Sequence, residues 1–298
     1  MSQFTAINLA LVAAPKVIEE LDFEQVYAAM LADLIERMPD FDALLESEPV
    51  IKILQVAAYR ETVLRQRVND AARAVMLPYS TGTDLENLGS LFGVTRLLIT
   101  PANLVAVPPV AAVYESDDDY RYRIQLSLEG LSTAGPEGAY VFHALSADGL
   151  VLDASAISPE PGEVLITVLS READGTASPE LLATVDAALT DESVRPLTDF
   201  VTVQGATILD YQVEATLHFY AGPDRAVIMA NAQAAIEAYT TGQHRLGLDV
   251  TISGIYAALH QPGVQRVELT TPTANLVVDR QSASYCSAIS LTDGGLDE

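Results

Sequence analysis

The chain has 298 residues, of which 49% are hydrophobic, and this apolar content excludes an intrinsically disordered protein because its burial can offset the entropy lost on folding. The net charge is −25, and residues 101–298 contain 8 basic and 27 acidic side chains, so this region repels phosphate groups and nucleic-acid binding is disfavoured. Cys286 is the single cysteine, which excludes an internal disulfide.

The N-terminal region is predicted to be helical. Residues 15–38 and Pro49–Leu77 carry apolar side chains at helical spacing, and Pro39 separates them. The second helix would be about 40 Å long at 1.5 Å per residue, which exceeds the usual length in a compact domain. Two interpretations stay open: a core helix of its own domain, or a helix that packs against another chain. The predicted partner interface consists of Ile53, Val56, Leu64, Val68 and Val75.

A turn-rich segment, Tyr79–Arg96, follows this helix. Thr83 or Asp84 is expected to cap a short helix over 85–92, and Gly93 is expected to end it in the left-handed conformation. Local capping and turning account for the glycines without a ligand. Arg96 is expected to bind a neighbouring carboxylate or carbonyl group.

Next come an uncharged segment and an acidic run. Leu97–Tyr114 carries no charge but contains three prolines, so we predict an extended connector rather than a membrane span. Asp117–Asp119 allows two interpretations, a cation site or the first turn of a helix capped by Ser116. We favour the helix, with Tyr120, Ile124, Leu128 and Leu131 on one face.

The C-terminal two thirds is predicted to form small α/β modules. The first has the order α-β-β-α-β. In the second, a half-buried strand over 211–220 precedes a helix over 224–240, which opens at Pro223 and stops at Gly242. Ser253 is expected to cap a further helix, and a strand over 263–270 follows.

The predicted fold class is therefore α+β, with N-terminal long helices followed by two or more small α/β modules with mixed sheets. The predicted divisions are a helical arm, a segment with the turn motif, connector and helix, a first module, a second module and a C-terminal tail. Their ranges, in that order, are 1–78, 79–131, 132–205, 206–272 and 273–298.

No catalytic, cofactor or metal motif stands out. The four histidines (His143, His218, His244 and His260) are scattered, and Cys286 has no basic neighbour in sequence that would lower its pKa. Neither a P-loop nor a dinucleotide-binding glycine pattern occurs. Carboxylates are so numerous that counting does not dismiss a glycosidase-type pair. The sequence therefore predicts a protein that is not an enzyme and needs no cofactor.

Several segments, in this order and spacing, resemble the baseplate J-like family of contractile-tailed bacteriophages and R-type tailocins. They are the Thr-Gly-Thr-Asp-Leu turn leading to Arg96, the acidic helix start before Arg121 and Arg123, and the later Val-Arg-Pro-Leu-Thr-Asp run that contains Arg195. The residues assigned to this structural motif are Gly82, Asp84, Leu85, Leu88, Gly93, Arg96, Arg121, Arg123, Arg195 and Pro196.

The resemblance implies a structural wedge protein of the baseplate, arranged with six-fold symmetry around the central spike complex. Its implied partners are other wedge proteins, bound through the N-terminal helices, and adjacent copies, bound through the C-terminal modules. The hub or spike and the sheath would be contacted indirectly, with no nucleic acid or membrane partner. The implied location is the virion baseplate or a tailocin particle, assembled in the host bacterial cytoplasm, and the implied role couples baseplate rearrangement to sheath contraction.

Two alternatives belong to other functional classes. One is a tail-associated cell-wall or glycan hydrolase that uses paired carboxylates. The other is a metal-binding adhesion module that uses Asp117–Asp119.

Overall fold

The computed structural model describes residues 9, 12, 13, 15, 19–42, 44–132, 134–192, 194–222 and 224–297. The fold class is α+β, as predicted: long N-terminal helices precede two small α/β modules with mixed sheets. The chain divides into two compact units. The N-terminal unit contains Thr5–Thr95 together with Asp117–Arg121, and the C-terminal unit contains Arg96–Ser116 and Tyr122–Glu298.

Three helices form most of the N-terminal unit: α1 (Phe23–Arg37), α2 (Pro49–Ala74) and α3 (Gly82–Leu91). Helix α1 begins where the Asp22 carboxylate accepts a hydrogen bond from the Glu24 N–H, and it packs against α2. Helix α2 has 26 residues. Part of the predicted first helix, residues 16–18, lies outside the described residues, as does Pro223.

The connector is extended and forms a short antiparallel pair, β1 (Leu98–Thr100) with β2 (Val113–Tyr114). Helix α4 (Asp117–Gly130) follows and begins at the acidic run, as predicted. Among the helices of the described residues, none has the length and apolarity that crossing a membrane requires.

The predicted apolar face of α4 is wrong at its C-terminal half. Tyr120 and Ile124 are buried, whereas Leu128 and Leu131 are exposed. Leu128 is rotated by about 80° from Tyr120 around the helix axis and so turns away from the core, whereas Leu131 follows Gly130, the last residue of α4. Leu126, two residues before Leu128, is fully buried instead.

The first module has the predicted α-β-β-α-β order. Strand β4 lies at the centre of its sheet, antiparallel to β3 and parallel to β5, and both helices pack against a core that includes Ile166, Val168 and Val185. The elements are α5 (Glu137–Ala147), β3 (Val151–Ile157), β4 (Glu163–Ser170), α6 (Pro179–Leu189) and β5 (Phe200–Gly205).

The second module is built around a long central strand, β6, whose alternate residues from Tyr211 to Phe219 are buried, as the sequence predicted. β6 is antiparallel to β7 and parallel to β8, so this sheet is also mixed. The elements are β6 (Thr207–Phe219), α7 (Arg225–Gln243), α8 (Ile252–Leu259), β7 (Val264–Thr271) and β8 (Ser282–Leu296).

Strand β8 corrects the prediction of a C-terminal tail over 273–298. It has 15 residues and pairs with β6 from Ser282 to Leu296. The sequence of β8 alternates between apolar and polar residues over only a few positions and ends near two glycines. This pattern resembles that of a tail. The pairing that stabilises it is parallel and connects segments distant in sequence, so no local turn signal announces it.

Two helix ends in the second module also differ from expectation. Helix α7 continues through Gly242 to Gln243, and the N-cap of α8 is Thr251, whose hydroxyl accepts the Gly254 N–H, rather than Ser253. Threonine and serine are both good N-cap residues, so the residue type does not distinguish Thr251 from Ser253. The packing of Ile255 and Leu259 sets the residue at which α8 begins.

Candidate functional site

The motif residues of the N-terminal unit meet at the start of α4. The Gly82 N–H, at the first position of α3, donates to the Asp117 carboxylate over 3.1 Å. This bond replaces the predicted cap, because Thr83 and Asp84 lie inside the helix and the N-cap residue, Thr81, makes no side-chain capping bond. The acidic run therefore satisfies a free helix N–H group.

Arg121 binds two backbone carbonyl groups from the segment after α2. Its Nε donates to Leu77 O over 2.8 Å and its Nη2 donates to Ser80 O over 2.9 Å. Its Nη1 also pairs with Asp118, which is exposed. Arg121 thus holds the turn between α2 and α3, which is a structural task.

The glycines of this turn have distinct roles. Gly93 follows Phe92, the C-cap residue of α3, and has φ +70°, in the left-handed conformation predicted for it, and Gly82 has φ +53°. Position 89 has no room for a side chain, because a Cβ on Gly89 would lie 2.0 Å from the Tyr120 hydroxyl oxygen. Leu85 is fully buried in the same helix, Leu88 is half-buried and Asp84 is exposed.

In the C-terminal unit, Arg123 forms a buried ion pair with Glu115, whose side chain is 2% exposed against 5% for the arginine. Arg123 Nε donates to Glu115 Oε2 over 3.0 Å, and its Nη1 donates to the Ser146 hydroxyl. Glu115 Oε1 also accepts the Leu97 N–H over 2.9 Å. Arg96 donates to the Glu115 backbone carbonyl over 2.8 Å, a contact of the kind expected for it.

Arg195 and Pro196 lie at the loop that enters β5. Arg195 Nη1 donates to the Asp199 carbonyl, and the Asp199 carboxylate accepts the Tyr140 hydroxyl over 2.8 Å. Burial, together with this bond to Asp199, raises the pKa of Tyr140. Pro196 packs against Gly135: a Cβ added to Gly135 would lie 2.8 Å from the Cγ of Pro196. The loop before β5 therefore contacts α5 through Asp199 and Tyr140.

The residues predicted as a partner interface are all exposed, although they are apolar. Helix α2 buries only Ile51, Ala58 and Asn69. Asn69 fixes the helix to the preceding segment, because its side chain exchanges hydrogen bonds with the backbone N–H and carbonyl of Glu19. The exposed fractions of the predicted residues are 69% for Ile53, 62% for Val56, 63% for Leu64, 61% for Val68 and 70% for Val75.

The histidines and the cysteine lie at separate places in the fold, apart from His244 and Cys286, which line one cleft. Burial lowers the pKa of His143, against the effect of its bond to the Gly130 carbonyl. His244 binds the Ser284 carbonyl and lies beside Tyr285 and Cys286 in a cleft of 220 Å³. Burial raises the pKa of the Cys286 thiol, which disfavours the reactive thiolate.

Within the part of the chain that the structure describes, no three His, Cys, Asp or Glu side chains converge in an arrangement that holds a metal ion. In the acidic run, Asp117 binds a backbone N–H and Asp118 binds Arg121.

Sequence reasoning missed the junction between the two modules. The Leu246 N–H donates to the Asp153 carboxylate over 3.0 Å, and the Ser155 hydroxyl donates to the Arg280 carbonyl. The Arg280 guanidinium donates to the Ala156 carbonyl and pairs with Glu137. These hydrogen bonds join residues that are 93 to 125 positions apart in sequence. The single signal that the sequence offered was an arginine in a segment predicted to be a tail.

Comparison of the sequence with family models and with known proteins gives a consistent result. Models of the baseplate J-like N-terminal, central and C-terminal domains match residues 46–103, 132–205 and 211–292. Baseplate protein J of Escherichia phage P2 is 52% identical over 299 residues, covering 98% of this chain and 99% of that protein. A chain in the 6-fold symmetrised cryo-EM structure of the anti-feeding prophage (AFP) baseplate matches with 13% identity and a TM-score of 0.38, over 62% of this chain and 44% of its own length.

Proposed function

Because the chain belongs to the baseplate J-like family, and is thereby a structural component of a phage baseplate, we propose that it is a wedge protein of a contractile phage tail or tailocin. In this role it assembles in the host cytoplasm, helps to close the baseplate into a hexameric ring and couples the rearrangement of that ring to sheath contraction. Its direct partners are other wedge proteins and adjacent copies of itself, and it meets the central hub or spike and the sheath indirectly.

The observation that carries this proposal is the exposed apolar side of α2. A single exposed valine or leucine is ordinary on a protein surface, but here Ile53, Val56, Leu64 and Val68 recur along one helix that buries only three residues. Long helices with such a stripe gain stability by packing against helices of another chain. The proposed partner of α2 is therefore an amphipathic helix of a neighbouring wedge protein.

The charged side chains of α2 indicate which side chains the partner helix should have. Helix α2 contains five basic and two acidic side chains, although the whole chain has a net charge of −25. A partner helix with acidic residues beside its apolar stripe would complement α2, because opposite charges at the rim of an interface favour correct association. The motif arginines serve the fold instead: Arg121 binds backbone carbonyl groups, and Arg123 binds the Glu115 carboxylate.

Co-expression with the neighbouring baseplate proteins tests the proposal. Val68→Glu is expected to lower recovery of the complex at least about tenfold, since it places a charge in a desolvated contact. Val227→Glu is the matched control, because Val227 is also an exposed valine on a helix, with 57% of its surface accessible. A variant lacking residues 1–77 should fail to assemble.

The proposal would be wrong if the Val68→Glu variant and the truncated variant both assembled as well as the unaltered chain. Recovery should be measured as the mass of complex by size-exclusion chromatography with light scattering. Electron microscopy of the same samples would show whether rings form.

A further inference from the structure

Two arginines lie within the exposed apolar stripe of α2 rather than beside it. The buried residues Ile51 and Asn69 are each nine residues from Arg60, and nine residues are about two and a half turns of a helix. Arg60 therefore lies on the side of α2 opposite these buried residues. The same spacing separates Arg67 from Ala58, the third buried residue of the helix. Both arginines are exposed, so the side of α2 that faces away from its buried residues carries two positive charges.

The residues around these arginines have the spacing of a helix that packs in a coiled coil. On this side of α2, positions recur at alternating intervals of four and three residues, which is the heptad pattern. Arg60 and Arg67 occupy equivalent positions in the pattern and are separated by about 10 Å along the helix axis. Their neighbours in it are apolar, and several are small enough to leave room for a guanidinium group. The pattern runs through Ile53, Ala57, Arg60, Leu64, Arg67, Ala71 and Ala74.

Among the residues that the structure describes, the side chains of Arg60 and Arg67 form neither an ion pair nor a hydrogen bond. Arg65 of the same helix, in contrast, pairs with Glu61 over 2.6 Å. The two arginines of the stripe are therefore available to a carboxylate from another chain.

Burial of the stripe would remove both guanidinium groups from water. A buried charge is strongly unfavourable unless it pairs with an opposite charge, so the partner has to supply two carboxylates within its own apolar stripe. Arginine suits such a contact, because its planar guanidinium forms two parallel hydrogen bonds with a carboxylate. A second copy of α2 does not meet this requirement, since its heptad pattern contains no acidic residue and its arginines would repel those of the first copy.

We propose that Arg60 and Arg67 select the partner of α2 by binding two carboxylates, seven residues apart, within the apolar stripe of a helix from another baseplate protein. This inference rests on the proposed function, which places α2 in contact with such a helix, and it names the residues that determine specificity. The two pairs also fix the alignment of the helices, as charged or polar residues inside a coiled-coil contact do. A shift by one heptad would pair a single guanidinium group, and a shorter shift would misalign both.

Co-expression with the neighbouring baseplate proteins tests this assignment through charge reversal. Arg60→Glu and Arg67→Glu should each lower recovery of the complex about tenfold or more, because like charges would then meet in a desolvated contact. Arg73→Glu is the matched control, since it makes the same charge change on the same helix. Arg73 lies four residues beyond the buried Asn69, on the side of α2 away from the stripe, so recovery should be unchanged.

Circular dichroism during urea unfolding should give these variants midpoints close to that of the unaltered chain, because the replaced side chains are exposed. A loss of recovery in a variant that keeps its midpoint then reports on the contact and not on folding.

Zero-length cross-linking identifies the carboxylates that bind the arginines. The lysines of the chain are Lys16 and Lys52, so the variant Arg60→Lys/Arg67→Lys introduces two amines into a sequence with few others. Carbodiimide treatment of its complex should join positions 60 and 67 to two carboxylates seven residues apart in one partner helix, which mass spectrometry locates. Replacing those two partner residues by arginine should restore assembly of the Arg60→Glu/Arg67→Glu variant.

Three outcomes would overturn the role of the arginines. They are charge-reversed variants that assemble as well as the unaltered chain, cross-links from positions 60 and 67 to acidic residues of a second copy, and cross-links to carboxylates that share no helix. Failure of the proposed function has a different signature, because the Val68→Glu variant would then also assemble with the neighbouring baseplate proteins. If Val68→Glu blocks assembly while Arg60→Glu and Arg67→Glu do not, the contact through α2 stands and the role of the arginines is wrong.

Discussion

At the scale of single residues, the most consequential contact is the buried pair between Glu115 and Arg123. Glu115 binds the Leu97 N–H through its side chain and Arg96 through its backbone carbonyl, so it ties the connector to α4. Both charged side chains are almost fully removed from water. A buried pair of this kind stabilises little by itself, but loss of one partner leaves an uncompensated charge.

We therefore expect Glu115→Ala to lower the free energy of unfolding by about 3–5 kcal/mol. Asp118→Ala removes an ion pair of Arg121 whose carboxylate is 93% exposed, and it should cost below about 1 kcal/mol. Urea denaturation measures both. The double variant Glu115→Leu/Arg123→Met should recover part of the loss, and similar midpoints for Glu115→Ala and Asp118→Ala would contradict the assignment.

Gly89 supplies a second test at this scale. An added Cβ would collide with the hydroxyl of Tyr120, which is buried and donates to the Val94 carbonyl over 2.8 Å. Gly89→Ala should therefore destabilise the protein by about 1–3 kcal/mol, through overpacking and loss of that bond. Gly242→Ala is the control, since a Cβ there meets no atom within 4 Å, and it should stabilise by about 0.4–1 kcal/mol. Thermal unfolding with opposite shifts would support both assignments.

At the scale of elements, different residues of α2 are assigned to the stability of the fold and to the proposed assembly. Its buried positions are few, and its exposed apolar residues Ile53, Val56, Leu64 and Val68 have 61–69% of their surface accessible to water. The same helix thus contains residues required for the fold and residues available to a partner. Substitutions on its two sides should have different consequences.

Leu64→Gln and Val68→Gln should change the free energy of unfolding by less than about 0.5 kcal/mol, because both side chains are already exposed to water. Ala58→Gln should cost about 1–3 kcal/mol, since Ala58 is fully buried and the larger side chain overpacks its contact. Circular dichroism during urea unfolding measures these values. A large loss for Val68→Gln would show that the exposed side supports the fold of the free chain.

At the scale of the whole molecule, the C-terminal unit has two hydrophobic cores joined by polar contacts. One core belongs to the sheet around β4 and the other to the sheet around β6. Asp153 and Arg280 connect them through backbone groups of the opposite module. Hydrogen bonds of this type, rather than a shared apolar core, therefore couple the two modules.

The double variant Asp153→Ala/Arg280→Ala should uncouple the modules, so that calorimetry resolves two unfolding transitions in place of one. Arg266→Ala is the control, because Arg266 pairs with Asp297 inside the second module on an exposed surface. Its unfolding should keep the shape of the unaltered protein. An unsplit transition in the double variant would mean that other contacts couple the cores.

The sequence predicted well what local patterns encode. Helical spacing and prolines located α2, and alternation in β6 identified both its structure and its buried face. Arg96 was expected to bind a neighbouring carboxylate or carbonyl group, and it donates to the Glu115 carbonyl. The partners of Arg121 and Arg123 were not predicted, since Ser80 and Glu115 come from other segments that are brought close only by folding.

By itself, the amino-acid sequence determined the fold class, the order of elements in the first module and the family, because these depend on periodicity, turn residues and motif order along the chain. The tertiary structure alone decided that the last residues form β8, that Asp117 caps α3 and that Asp153 and Arg280 join the modules. Each of these depends on backbone groups supplied by a segment distant in sequence, and such partners leave no periodic signal in the residues that bind them.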